Sequence, residues 1–228
     1  MNCYAKPMAK RMKFNPHPRI AYKYRNGFEL TEHPEELRRD IPGKNKIVFL
    51  NSMSDTFHQN VSESFLFSIF DFINRQPRHI FQVLTKRADS LSKIKDYPSN
   101  VWLGVTVENS DYLHRIDSLL DTNASVKWIS CEPLLGPIDS DTIRNLDWVV
   151  VGGESGPDCR PMDLNWARKI RDICKENQVP FYFKQVGGSG RDKGGKILDC
   201  GVYEDYPNAL PMARNETQLS FFNVDSEL

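Results

Sequence analysis

Long apolar runs are missing from this sequence. Nothing approaches the roughly 18 consecutive apolar residues of a membrane-spanning helix, and the polar, basic beginning carries no apolar signal core. These absences exclude a membrane as partner. Cysteine is scarce: Cys3, Cys131, Cys159, Cys174 and Cys200 are scattered and odd in number. A secreted disulfide framework is therefore excluded, and the expected compartment is the cytoplasm. An excess of either charge is missing too, with 30 Lys and Arg against 30 Asp and Glu. Neutrality removes any long-range pull toward nucleic acid and leaves only a local basic patch to provide one. There is no internal repeat of fixed period.

What is present is a strand-then-helix rhythm. The chain has 228 residues, 39% of them hydrophobic, which suits one packed domain. Apolar runs at 46–50, 80–84, 101–107, 126–130, 148–151 and 181–184 read as six strands. Between them, helical spacing marks 61–74, with Asn60 and Glu63 as cap and partner, a short 87–95, a helix from about 109, a short 139–145, and 163–177. Such alternation predicts a parallel sheet with right-handed crossovers. The Gly-rich turn of a dinucleotide-binding fold is lacking, because residues 51–56 fill its place after the first strand. Residues 4–13 read as a helix with Ala5, Met8, Ala9 and Met12 on one side. Pro16, Pro18, Gly27 and Pro34 then break the chain into loops and short extended pieces. The expected organisation is a partial β/α barrel over 1–185, a glycine-rich loop and small hairpin over 186–211, and a disordered tail over 212–228.

Each expected strand is followed by polar residues. The first leads into Asn51, Ser52, Ser54 and Asp55, the second into Thr85, Lys86 and Arg87, and the third into Thr106, Glu108 and Asn109. The fourth leads into Cys131 and Glu132, the fifth into Gly152, Gly153, Glu154 and Ser155, and the sixth ends in Lys184 and Gln185. Parallel strands deliver their C-termini to one side, so these groups converge on a single rim, the usual site face of a β/α barrel. Helix capping explains Ser, Thr, Asn and Asp at such places; it does not explain the long charged side chains. Lys86, Glu108, Glu132 and Lys184 are therefore the candidate catalytic residues, and Asn51, Ser52, Asp55, Gly152, Gly153 and Glu154 the candidate cofactor-binding ones. The turn at Gly152 to Gly156 either lets backbone N–H groups approach a ligand or is an ordinary tight turn. Cys131 is either a reactive thiolate or metal ligand or a buried, inert thiol. Asp55 and His58 lack a second His for a metal site. The stretch 190–196 imitates a phosphate-binding loop, but Ile197 stands where Ser or Thr would hold Mg²⁺ and no helix follows, which excludes ATP there.

Several segments taken in order carry a resemblance. Asn2-Cys3-Tyr4-Ala5, Phe49 to His58, Phe81 to Arg87, Trp102 to Asn109, Cys131 to Pro137, Val150 to Gly156, Phe183 to Gln185 and Gly194 to Asp199 together resemble a phage-type family whose members carry a three-Cys motif. The resemblance implies a radical-SAM-like, TIM-like barrel. In such proteins three clustered cysteines hold a [4Fe–4S] cluster that binds and cleaves S-adenosylmethionine. It further implies Cys3 as a metal ligand, Gly152-Gly153-Glu154 as a seat for the amino-acid end of S-adenosylmethionine, and a methyltransferase-like partner protein. In that family a strand and two more cysteines precede the position of Cys3, whereas here Met1 stands two residues before it. The expectation is thus an N-terminally truncated barrel, lacking its first strand and holding neither cluster nor S-adenosylmethionine as written. Two functions follow. One is a truncated radical-SAM-like iron–sulfur enzyme with its site on the rim. The alternative is a cluster-less barrel that binds a nucleotide, a nucleic acid or a partner protein there.

Overall fold

A computed structural model describes residues 5–50 and 52–208. Cys3, Asn51 and the tail expected from residue 212 lie outside the described residues. The chain forms α1 (Ala5–Met12), α2 (Pro18–Lys23), β1 (Ile47–Leu50), α3 (Glu63–Asn74), β2 (Ile80–Thr85), β3 (Val101–Thr106), α4 (His114–Leu120), β4 (Val126–Cys131), β5 (Trp148–Gly152), α5 (Leu164–Glu176) and β6 (Phe181–Gln185). Short 3₁₀ turns at Glu36–Arg38, Ala88–Lys93, Ser110–Tyr112 and Asp141–Asn145 complete it. The six strands are all parallel and lie in the order of the sequence. The result is an open, curled parallel sheet, a half-barrel flanked by helices.

The strands are nearly continuous apolar runs because both faces are covered. One face packs under the helices: Val48, Leu50, Phe81, Val83, Leu103, Val105, Ile129, Val149, Val151 and Phe183 join Leu66, Ile69, Ile73, Ile116, Leu119, Ala167 and Ile170 in the main core. The alternate residues turn to the other face, where Ile80, Trp102, Val126, Trp128, Trp148 and Val150 form a second cluster. The curl shows in the aromatic contacts. Trp102 of β3 and Trp148 of β5 meet at 5.9 Å between ring centroids although β4 runs between them. Strands lie almost 5 Å apart, so a flat sheet would hold the two rings further from one another. Room for these indoles comes from Gly104, where a Cβ would lie 2.4 Å from the Trp128 ring.

Beyond β6 the chain returns along that strand. Phe183 N donates to Tyr203 O and Asp205 N to Phe181 O, an antiparallel strap over the β6 edge. It seats Tyr206 on Trp148, stacked at 5.2 Å, and Trp148 Nε1 donates to Asp205 O.

Two local expectations change. The cap of α3 is Ser62, whose Oγ accepts from Phe65 N, not Asn60; Ser62 is in turn fixed by Glu32. The stretch expected to be loops and extended pieces contains α2, which begins at Pro18. Proline fits a first helical turn, where its missing N–H has no partner to lose.

Candidate functional site

Lys86, Glu108, Glu132 and Lys184 keep the alternation of the tryptophan face: each lies an even number of residues beyond Ile80, Trp102, Trp128 or Tyr182 on its own strand. They stand at the strand C-termini, at the opposite end from the indoles. There they form two clusters.

The first joins β1, β2 and β3. Asp55 accepts from Thr85 Oγ1 at 2.7 Å, from Lys86 N at 3.2 Å and from Arg87 NH1 at 2.9 Å, and it also caps its own turn through Phe57 N. That carboxylate therefore ties the loop after β1, which includes half-buried Ser52, to the end of β2. Lys86 Nζ then donates to Glu108 Oε1 at 2.5 Å. The other oxygen of Glu108 accepts from Arg115 of α4 at 2.9 Å, and Arg115 also donates to Thr106 O. Tyr112 backs the guanidinium, 4.1 Å from its ring centroid.

The second joins β4, β5 and β6. Glu132 Oε2 accepts from Lys184 Nζ at 2.9 Å and Oε1 from Gln185 Nε2 at 2.7 Å. This contact spans β5, passing over Gly152, where a Cβ would lie 3.5 Å from the Glu132 carboxyl carbon. Gln185 also reaches Gly153 O and Ser155 Oγ. The two clusters share a backbone brace: Leu135 N donates to Glu108 O and Leu134 N to Gly152 O.

Glu154 stands apart. Both its oxygens are taken by the Arg160 guanidinium, at 2.9 Å each, and Oε2 also accepts from Arg160 N. These hydrogen bonds hold its pKa down to about 2. Gly153 is needed here for a different reason than ligand approach: a Cβ on it would strike Val186 O at 1.9 Å.

Sequence reasoning placed Gln185 on the rim but missed Arg115 of the first cluster and Arg160, the partner of Glu154. Arg115 gave no sign, being one charge on an amphipathic helix.

Among the described residues the four cysteines are a buried pair and two in loops. Cys131 and Cys174 are buried in the sheet–helix core. Burial pushes the Cys131 thiol far up and that of Cys174 up to about 12, so neither is a ready thiolate. Cys159 and Cys200 lie in separate loops. Among the described residues no group of three His, Cys, Asp or Glu could hold a metal ion.

The model of one family, described as "Protein of unknown function (DUF5131)", matches residues 1–216. The chain belongs to that family. Comparison with curated proteins and with solved structures gives no match. Membership in DUF5131 replaces the phage-type three-Cys-motif assignment. The reading as a truncated radical-SAM-like iron–sulfur enzyme, with its keywords, is likewise corrected. Its motifs serve another purpose here: Asp55, Thr85, Lys86, Arg87, Glu108, Glu132 and Gln185 bind one another and build the rim. Among the described residues there is no convergent set of thiolates of the kind that holds an iron–sulfur cluster. Among the described residues no helix is long and apolar enough to cross a membrane.

Proposed function

We propose that this DUF5131 chain is a cluster-less binding module that takes a nucleotide on the rim at the strand C-termini. One observation carries the reading. In each cluster the carboxylate is withdrawn and the ammonium is presented: Glu108 and Glu132 side chains are 9% and 25% exposed, Lys86 and Lys184 are 49% and 47% exposed. An anchored carboxylate orients its lysine while leaving two of the three ammonium protons for another acceptor. Two such lysines suit phosphate oxygens. The loop of Ser52 and Asp55 borders the same rim. This reading treats the sheet as part of a TIM-like barrel, in which the strand C-termini are the site face, and places the protein in the cytoplasm, in keeping with its scattered thiols.

Titration calorimetry with nucleoside mono- and diphosphates tests it. Binding in the micromolar to millimolar range is expected, weakened roughly tenfold by either Lys86→Ala or Lys184→Ala, as for loss of one charge-assisted hydrogen bond. Absence of saturable binding at millimolar nucleotide, or affinity unchanged in both variants, sinks the proposal. The partner-protein alternative survives in either case.

A further inference from the structure

The zero net charge conceals a segregation. Residues 1–28 contain seven Lys or Arg and no Asp or Glu, which leaves 23 basic against 30 acidic residues in the remainder. The charges are displayed on α1 and the turn after it. Ala5 and Ala9 face inward and are buried, while Lys6, Lys10, Arg11 and Lys13 are exposed. Lys13 N donates to Ala9 O and Phe14 N to Arg11 O, so helical winding continues through Phe14. Lys6, Lys10 and Lys13 therefore form one outward stripe at i, i+4 and i+7, and Phe14 continues it. Among the described residues none of Lys6, Lys10, Arg11 and Lys13 makes an ion pair. Further along, Arg19 and Lys23 are drawn to Glu36, which leaves the cations of α1 and its following turn, together with Arg25, outside any salt bridge among the described residues.

Aromatic rings are interleaved with this charge. Of the seven large hydrophobic side chains exposed on the described residues, four lie between positions 14 and 30: Phe14, Tyr22, Phe28 and Leu30. Phe14 is 82% exposed and Tyr22 56%. Arg25 lies over the Tyr22 ring at 4.1 Å and donates to the Tyr22 carbonyl, which holds ring and cation as one unit. Single exposed apolar residues are ordinary; three rings inside an acid-free basic segment are not.

We infer that the α1–α2 face binds single-stranded nucleic acid, its cations tracking phosphates and its exposed rings stacking bases. Charge complementarity selects a polyanion. The form of the surface selects a single strand over a membrane: the apolar side of α1 is turned inward, so no apolar helix face is left to insert between lipids. The segment also adjoins the rim, since Tyr24 OH reaches Met53 Sδ in the loop after β1. The inference does not depend on nucleotide binding at the rim, because it draws on different residues.

Fluorescence anisotropy of the full chain with a labelled 20-nucleotide single strand tests it, alongside the matching duplex and vesicles of neutral and anionic phospholipid. The four cations of α1 and the turn after it predict a slope of log K against log salt of about −3, at roughly 0.7 per phosphate contact on a single strand. Replacing Lys6, Lys10 and Lys13 together by Ala should flatten the slope to about −1 and weaken binding at least tenfold at low salt. The double variant Phe14→Ala, Tyr22→Ala should weaken binding roughly fivefold or more and leave the slope unchanged. All five side chains are exposed or tethered only locally, and a thermal melt reports whether each variant keeps its fold. Undetectable oligonucleotide binding at low salt, affinity unmoved by both variants, tighter binding to the duplex, or binding to anionic vesicles alone would each overturn the inference.

Discussion

The two ends of the sheet face that carries the tryptophans are built from the same strands with the same alternation, yet they differ in kind. At the strand N-termini Trp102, Trp128, Trp148 and Tyr182 pack ring against ring, closed off by Tyr206. At the strand C-termini the corresponding positions are Lys86, Glu108, Glu132 and Lys184, joined by charge. The floor is fixed by shape, so its worth is mostly stability. The rim is fixed by hydrogen bonds whose cations remain half-exposed, so on the proposed reading its worth lies in what they can still bind. One face can hold both because Gly104 gives the indoles their space and Glu132 reaches over β5 to Lys184 and Gln185.

The contrast is open to attack at several points. The largest effect is expected at the floor. Trp148→Ala removes a ring that touches Trp102, Trp128, Tyr182 and Tyr206 and should cost about 3–5 kcal/mol by urea denaturation, as for other large-to-small core changes. A loss near that of a surface substitution would mean that the aromatic layer is not a packed floor. Next comes the buried part of the rim. Glu108→Ala leaves the largely buried Arg115 guanidinium without its carboxylate, and a loss of about 3 kcal/mol is expected. Lys86→Ala removes the exposed partner of that same Glu108, and its cost should stay below about 1 kcal/mol. Equal costs for the two would contradict the division into anchored carboxylate and presented ammonium.

The smallest effect concerns acid. Pairing with Arg160 depresses the Glu154 pKa from its usual 4.5 to about 2. A depressed folded-state value means that the stabilisation is complete above the unfolded value and is lost as pH falls through the folded one. The difference in stability between the wild type and Glu154→Gln should therefore be constant above pH 4.5 and shrink as pH falls toward about 2. Melting curves across that range measure it, and a difference independent of pH would detach Glu154 from Arg160.

The six strands could be read directly because parallel strands covered on both faces become apolar runs of four to six residues. The common rim followed from topology alone, since any parallel arrangement sends those ends to one side. The wiring of the rim was not legible. That Glu108 would choose Arg115 depends on where α4 settles on the sheet, and that Glu132 would pass over β5 depends on the curl; neither is encoded in local spacing. α2 was hidden because Pro18 reads as a break unless it is recognised as a helix start. The three-Cys resemblance misled for a related reason. Its longest motifs cover residues that brace the rim internally, and such bracing says nothing of the chemistry that a rim supports.

The strap that returns along β6 has a bearing on how the molecule is made. Each strand pairs with the strand before it, so a chain leaving the ribosome can add β2 to β1, β3 to β2 and onward in the order of synthesis. Every newly docked strand is covered by its successor, except the last. β6 waits for residues 203–205 to fold back on it, and the same few residues bring Tyr206 onto Trp148. Until they emerge, the nascent protein carries an open strand edge beside an uncovered indole, a combination that invites association with other chains. The interval between synthesis of β6 and of the strap is thus the stage at which a translational pause, or a chaperone, would matter most.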